Sequence, residues 1–168
     1  MRRVLYAAAV VASIAASCAL ADTQTFDART RALDGDTVAV DFRLLGVDAF
    51  ERRQLCQTRS GCWQCGKAAQ DFAARALHAK TATIHLRPTN SYGRPVGTVT
   101  VDGQDLGERL IRAGFAVPET QHLRADPSRA SRYRTAFAQA KAARAGAFAG
   151  AWLEPSRWRQ GERLACER

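Results

Sequence analysis

Beyond its first 21 residues the chain has no apolar run approaching the roughly 20 residues that a membrane-spanning helix needs. It also lacks an internal repeat and a long linker. The 168 residues are about one domain's worth, enough to bury a single core. Residues 22–168 therefore read as one domain. Histidine is scarce. His78, His85 and His122 fall on a helix-like, a strand-like and a loop segment with no shared motif, which argues against histidine-based hydrolysis. Cys62-Trp63-Gln64-Cys65 has the internal spacing of a redox or zinc pair. It lacks the βαβ unit of the first and the two further ligands of the second.

What is present starts at the N-terminus. Met1-Arg2-Arg3 precedes an apolar run from Val4 to Ala16, and Ser17-Cys18-Ala19-Leu20-Ala21 follows. A charged start, a short apolar centre and an Ala-x-Ala end are the features of a secretory signal, here cut after Ala21. A rival reading, with Cys18 as a lipid-anchored cysteine, is disfavoured by Ala15 three places before it. The expectation is a secreted or periplasmic protein. Cleavage removes Cys18 and leaves Cys56, Cys62, Cys65 and Cys166, an even set suited to disulfides in an oxidising compartment. It also removes Arg2 and Arg3 from a formal net charge of +9, leaving +7. A basic surface concentrates polyanions. However, lysine is limited to Lys67, Lys80 and Lys141, and an Arg- and Ala-rich bias explains the charge equally well. Charge alone names no partner.

The first half of the mature chain is strand-like. Thr23 to Leu33 leads into the turn dipeptide Asp34-Gly35, then Thr37 to Val40 and Phe42 to Val47. A polar, cysteine-bearing loop runs from Glu51 to Gly66. Ala69, Phe72, Ala73, Ala76 and Leu77 then repeat at helical spacing, with polar residues opposite. Ala82, Ile84 and Leu86 alternate with polar residues, as do Val99 and Val101, so two strands flank Thr89 to Arg94. Asp105 and Glu108 form a capping-box pattern for a short helix closed by Gly114. Tyr133, Ala136, Phe137 and Ala140 mark a last helix, expected to stop at Gly146. This order predicts an α+β domain, a small barrel closed off by helices.

Carboxylates and an arginine crowd the first strands: Asp36, Arg43, Asp48 and Glu51. Strands paired roughly 5 Å apart would bring such groups within about 10 Å of one another. Hard cations take carboxylate and carbonyl oxygens, a further acid can deprotonate water, and arginines clamp phosphates. Those are the parts for metal-assisted phosphodiester hydrolysis. Singly, each has a plainer reading: a turn for Asp34-Gly35, a strand end for Asp48, an Arg43–Glu51 salt bridge. Tyr92 suits either stacking on a base or packing beside the Gly93 turn.

Together, Asp34-Gly35-Asp36-Thr37, Arg43-Leu44-Leu45-Gly46-Val47-Asp48-Ala49-Phe50-Glu51 and Tyr92-Gly93-Arg94 resemble the staphylococcal (micrococcal) nuclease family, or thermonucleases. The resemblance continues through Asp105-Leu106, Gly114, Gly146 to Gly150, Pro155 and Trp158-Arg159, covering nearly all of the mature chain. It implies a five-stranded oligonucleotide-binding (OB-fold) barrel with three helices. It also implies an enzyme that cuts DNA and RNA with little sequence preference and leaves 3′-phosphate ends. Asp36, Asp48 and the Ala49 carbonyl would hold Ca²⁺, Glu51 would activate water, and Arg43 and Arg94 would hold the phosphate. Cys56 and Cys65 match the family's loop cysteines, with Cys62 and Cys166 paired or free. The protein is expected to act as a monomer.

The sequence departs from the family at several points. Phe50 stands where Pro is usual, implying a looser turn before Glu51. Asn90, Thr120 and Phe137 replace an acid, a stacking tyrosine and a glutamate. Only Val38 to Phe42 separate Thr37 from Arg43, where relatives have a longer hairpin; the expectation is a strained reversal at Ala39-Val40. The alternative function is a barrel that grips nucleic acid without cutting it, because the short hairpin misplaces Asp36.

Overall fold

In the computed structural model, which describes residues 27–167, the chain first doubles back around Asp34-Gly35. Strand β1 (Thr30–Ala32) pairs antiparallel with β2 (Val38–Val40), Thr30 opposite Val40 and Ala32 opposite Val38. The Leu33 and Asp34 amides donate to the Thr37 carbonyl and close the turn. The reversal expected at Ala39-Val40 is therefore not formed. Both residues lie inside β2, and Asp36 sits in the exposed turn instead. Turn chemistry explains the correction: Asp34-Gly35 tolerates tight reversal, whereas Ala39 and β-branched Val40 do not. The signal segment expected over residues 1–21 lies outside the described residues.

Next come β3 (Arg43–Leu44), β4 (Val47–Ala49), β5 (Cys56–Thr58), β6 (Gly61–Trp63) and helix α1 (Cys65–Leu77). A long hairpin of β7 (Ala82–Ser91) and β8 (Arg94–Val101) follows, then β9 (Gln104–Asp105) and α2 (Leu106–Arg112). The chain ends with β10 (Ala116–Pro118), α3 (Pro127–Ala142) and α4 (Pro155–Arg159). The polar loop expected from Glu51 to Gly66 thus contains a small hairpin, β5–β6. The last long helix stops near Ala142 rather than at Gly146, and a fourth helix, α4, joins the three expected. Five residues are too few for a helical period to register in sequence.

The α+β class holds, but among the described residues the strands form separate sheets and do not close a five-stranded barrel. β3 runs parallel to β8, which pairs antiparallel with β7 and β9, while β4 pairs with β10. Gly46 causes the division. Its φ of +70° breaks the strand between Leu44 and Val47, and a Cβ there would lie 2.6 Å from Leu123. Glycine alone takes this bend without strain.

Leu45, Val47, Val99, Val101, Leu110 and Ile111 fill the main core against the α3 face carrying Tyr133 and Ala136. A second cluster gathers Phe50, the Cys56–Cys65 pair, Ala69, Ala140 and Phe148. Asp105 ties α2 to α3. Its carboxylate caps α2 by accepting from the Glu108 amide (2.9 Å), and also accepts from the Tyr133 hydroxyl (2.7 Å) and Arg129 Nε (2.9 Å). Burial, reinforced by the neighbouring Asp105 charge, pushes the Tyr133 phenol well above its ordinary pKa, so it stays a donor. Asp105→Ala removes the cap, strands the buried Tyr133 hydroxyl and leaves Arg129 with Asp126 alone. It should lower unfolding free energy by about 3 kcal/mol in urea melts, with the α2–α3 region losing hydrogen-exchange protection first.

Candidate active site

The bend at Gly46 sets Arg43 on one sheet and Asp48 on the next, close enough to bond. Arg43 Nη2 donates to Asp48 Oδ1 at 3.2 Å, and lies 4.0 Å from the Glu119 carboxylate. The plainer pairing of Arg43 with Glu51 is not the one formed. Asp48 is almost wholly buried, with 4% of its side chain exposed. A carboxylate so withdrawn from water must be paired. Its second partner comes from the far end of the chain. Arg159, the last residue of α4, grips it bidentately: Nη1 to Oδ1 at 2.8 Å and Nη2 to Oδ2 at 3.0 Å. Arg159 Nη1 also donates to Glu51 Oε1 at 2.8 Å. These bonds, Asp48 first, hold the guanidinium pKa above its already high value.

Glu51 is fixed from behind. Phe50 is buried edge-to-face against Phe148 and Trp152, with ring centroids 6.2 and 5.9 Å away. The expected loosening at the missing proline is thus replaced by aromatic anchoring. Buried Gln54 accepts from the Glu51 amide through Oε1 (3.1 Å) and donates through Nε2 to the Leu153 carbonyl (2.8 Å). Gly66, near the start of α1, lets the helix press on this turn; a Cβ there would lie 1.6 Å from the Glu51 carbonyl oxygen. Cys56 and Cys65 form the disulfide expected around the loop. Cys62 and Cys166, left open in the sequence, form a second.

Arg94 arrives on the β7–β8 hairpin. Ser91 pairs with Arg94 across Tyr92-Gly93, whose φ values of 52° and 71° are those of a two-residue primed turn. Arg94 has no side-chain hydrogen bond or carboxylate partner among the described residues, so its guanidinium is available to a ligand. Tyr92 is 86% exposed, which decides against packing and leaves its ring free to stack. Asn90, as a strand residue, pairs with Pro95 in the register. Thr120 begins a 3₁₀ turn (Thr120–Leu123). Phe137 packs on Phe148 at 5.3 Å, replacing a polar contact with an apolar one.

One open cleft is thus lined by Arg43, Glu51, Tyr92, Arg94 and Arg159, and an adjoining hollow adds Asp48 and Ala49. The structure gathers Arg43, Asp48, Ala49, Glu51, Arg94 and Tyr92, and leaves Asp36 in the β1–β2 turn, bonded to Thr37. No three acidic, histidine or cysteine side chains meet at a shared point among the described residues. The oxygens of Asp48, Glu51 and Ala49 are nevertheless of the type a hard cation takes. The guanidinium of Arg159 stands on two of those groups as a cation already in place. Reading the sequence missed Arg159. Its only signal was Trp158-Arg159 in the C-terminal resemblance, because a separation of 111 residues from Asp48 carries no local pattern.

The model of the family described as staphylococcal nuclease homologue matches residues 41–149. This chain belongs to that family. Asp36 and Arg159 both fall outside the matched stretch, whereas Arg43, Asp48, Glu51 and Arg94 fall within it. An uncharacterized 38.1 kDa protein of Capnoides sempervirens is 28% identical over 144 residues, covering 82% of this chain. The match spans 38% of that protein's length. The two disulfides suit this nuclease relative to an oxidising compartment, and no described helix is long and apolar enough to cross a membrane.

The two disulfides should contribute unequally. Cys56–Cys65 closes a separation of 9 residues and Cys62–Cys166 one of 104. Chain entropy predicts a loss of about 2–3 kcal/mol for Cys56→Ser with Cys65→Ser, and nearer ~4–5 kcal/mol for Cys62→Ser with Cys166→Ser. Peptide mapping without reductant checks the pairing, and urea melts of the double variants check the order.

Proposed function

We propose that this chain is an exported nuclease that hydrolyses phosphodiester bonds of DNA and RNA with little sequence preference, leaving 3′-phosphate ends. The observation that carries this reading is the convergence of Arg43, Arg94 and Glu51 on one open cleft within the family-matched stretch. A phosphodiester entering the cleft meets Arg94, which no carboxylate among the described residues neutralises, and Arg43 beside it. Two guanidinium forks pair with the non-bridging oxygens and strengthen as charge builds there. Glu51 takes the proton of the attacking water once Arg159 no longer holds its carboxylate. Arg94 sits by the leaving oxygen. Tyr92 offers a sequence-tolerant stacking face, and phosphate contacts carry no base information, which accounts for weak specificity.

The reading includes Ca²⁺, which Asp48 and the Ala49 carbonyl would hold once Arg159 releases the Asp48 carboxylate. When bound, such an ion supplies positive charge that offsets repulsion between phosphate and nucleophile. Asp36 joins that set only if the β1–β2 turn is carried to it. This favours a second reading, a nucleic-acid-binding module of the same fold with weak or no cleavage. The leader-like composition of residues 1–21 and the paired cysteines support export.

Plasmid nicking decides between the two. The nuclease reading expects cleavage that a chelator abolishes and Ca²⁺ restores better than Mg²⁺, whose smaller shell demands stricter geometry. A gel shift without nicking under any of these conditions supports the binding module instead. Arg94→Ala should cost about 10²-fold or more in turnover with little change in DNA affinity. Arg94→Lys should rescue poorly, since a point charge does not reproduce the fork.

A further inference from the structure

Arg159 makes more contacts with the acidic residues of the site than any other side chain. It covers both oxygens of Asp48 and one of Glu51 with three charge-assisted bonds between 2.8 and 3.0 Å. Its own side chain is 36% exposed, against 4% for Asp48. The arm therefore reaches in from the surface and can swing back out without unpacking the core.

The backbone beneath it is held independently of the guanidinium. Pro155 is buried, and Trp158 Nε1 donates to Glu167 Oε1 at 3.1 Å. Glu167 also accepts from the Leu55 amide (3.0 Å) and the Leu164 amide (3.0 Å). Cys166 is bonded to Cys62, Leu153 to Gln54, and Ala151 bridges to Gln57. Taking away the guanidinium leaves α4 in place. Asp48 is then left with Arg43, which also lies 4.0 Å from the Glu119 carboxylate, and Glu51 loses its one cationic side-chain partner among the described residues. That imbalance favours any hard cation able to use the freed oxygens.

We propose that Arg159 is a built-in competitor at the Asp48–Glu51 pair, a tethered cation that a divalent ion must displace before it can bind. Displaced, the guanidinium moves into the cleft that Arg43 and Arg94 already line, where it faces an incoming phosphate. The site is thereby closed on itself when empty, with Asp48 neutralised and Glu51 engaged. The choice of a divalent ion as competitor rests on the nuclease reading; the occupancy of the carboxylates by Arg159 does not. The family match ends at residue 149, short of this residue.

The test measures calcium binding without nucleic acid, by isothermal titration calorimetry on the full secreted chain. Arg159→Gln should bind Ca²⁺ at least about ten-fold more tightly than the unaltered protein, because the ion no longer has to break charge-assisted bonds. Arg157→Gln makes the same charge change on the same helix, but Arg157 pairs with Glu162. It should bind Ca²⁺ as the unaltered protein does. In melting curves, Arg159→Gln should lose Tm in chelator and regain it with Ca²⁺. Arg159→Lys, which keeps the charge but not the fork, should bind with intermediate affinity and guards against a glutamine variant that fails to fold. Equal affinity in the unaltered, Arg159 and Arg157 proteins overturns the proposal, as does absence of calcium binding in all of them. Tighter binding in Arg159→Gln without any DNA cleavage leaves the competitor standing and removes the nuclease reading.

Discussion

A carboxylate withdrawn from water organises this molecule. Asp48 lies on β4, which the Gly46 bend turns away from β3 and onto β10. Burying an ionised acid is costly unless cations and hydrogen bonds replace the lost hydration. The chain supplies two arginines, Arg43 from the neighbouring strand and Arg159 from the distant C-terminal helix. The requirement for charge balance at one buried atom group thus brings the beginning and the end of the domain together. It also fixes where the cleft forms.

Holding that arrangement takes an apolar clamp beside it. Phe50, directly between Asp48 and Glu51, is driven into a cluster with Phe148 and Trp152. Gln54 spans the same gap with hydrogen bonds, joining the Glu51 turn to Leu153. The Cys62–Cys166 disulfide and Glu167 secure the segment after α4. Polar groups at the site are therefore oriented by packing centred on Phe50, which itself borders the hollow beside Asp48, the kind of support that preorganised sites require. Arg94 and Tyr92 are presented differently, at the tip of a hairpin with a positive-φ tyrosine and a glycine. The fixed wall carries the acids, and the hairpin carries the exposed ring and a cation with no partner among the described residues.

Much of this was legible from residue order. Helix α1 followed from its apolar spacing, α2 from the Asp105–Glu108 cap, and the β7–β8 pair from alternation on either side of Tyr92-Gly93. Arg43, Asp48, Glu51 and Arg94 could be gathered from motifs within short stretches of sequence. What failed did so for physical reasons. Comparison with longer relatives points to a reversal at Ala39-Val40, whereas the turn residues themselves, Asp34-Gly35, fix it earlier. Phe50 looks like a lost proline in sequence, because sequence shows a missing constraint more readily than the aromatic partners 98 and 102 positions further on that replace it.

The sequence by itself determined the local elements, the family and the chemistry of the side chains, since propensity, capping and motif spacing act over a few residues. Tertiary structure alone decided which charges meet. That Arg159 enters the acid pair depends on how α4 packs back against β4 and on a disulfide between residues 62 and 166. Electrostatic energy depends on distance in space and on burial, neither of which is written in the order of the chain.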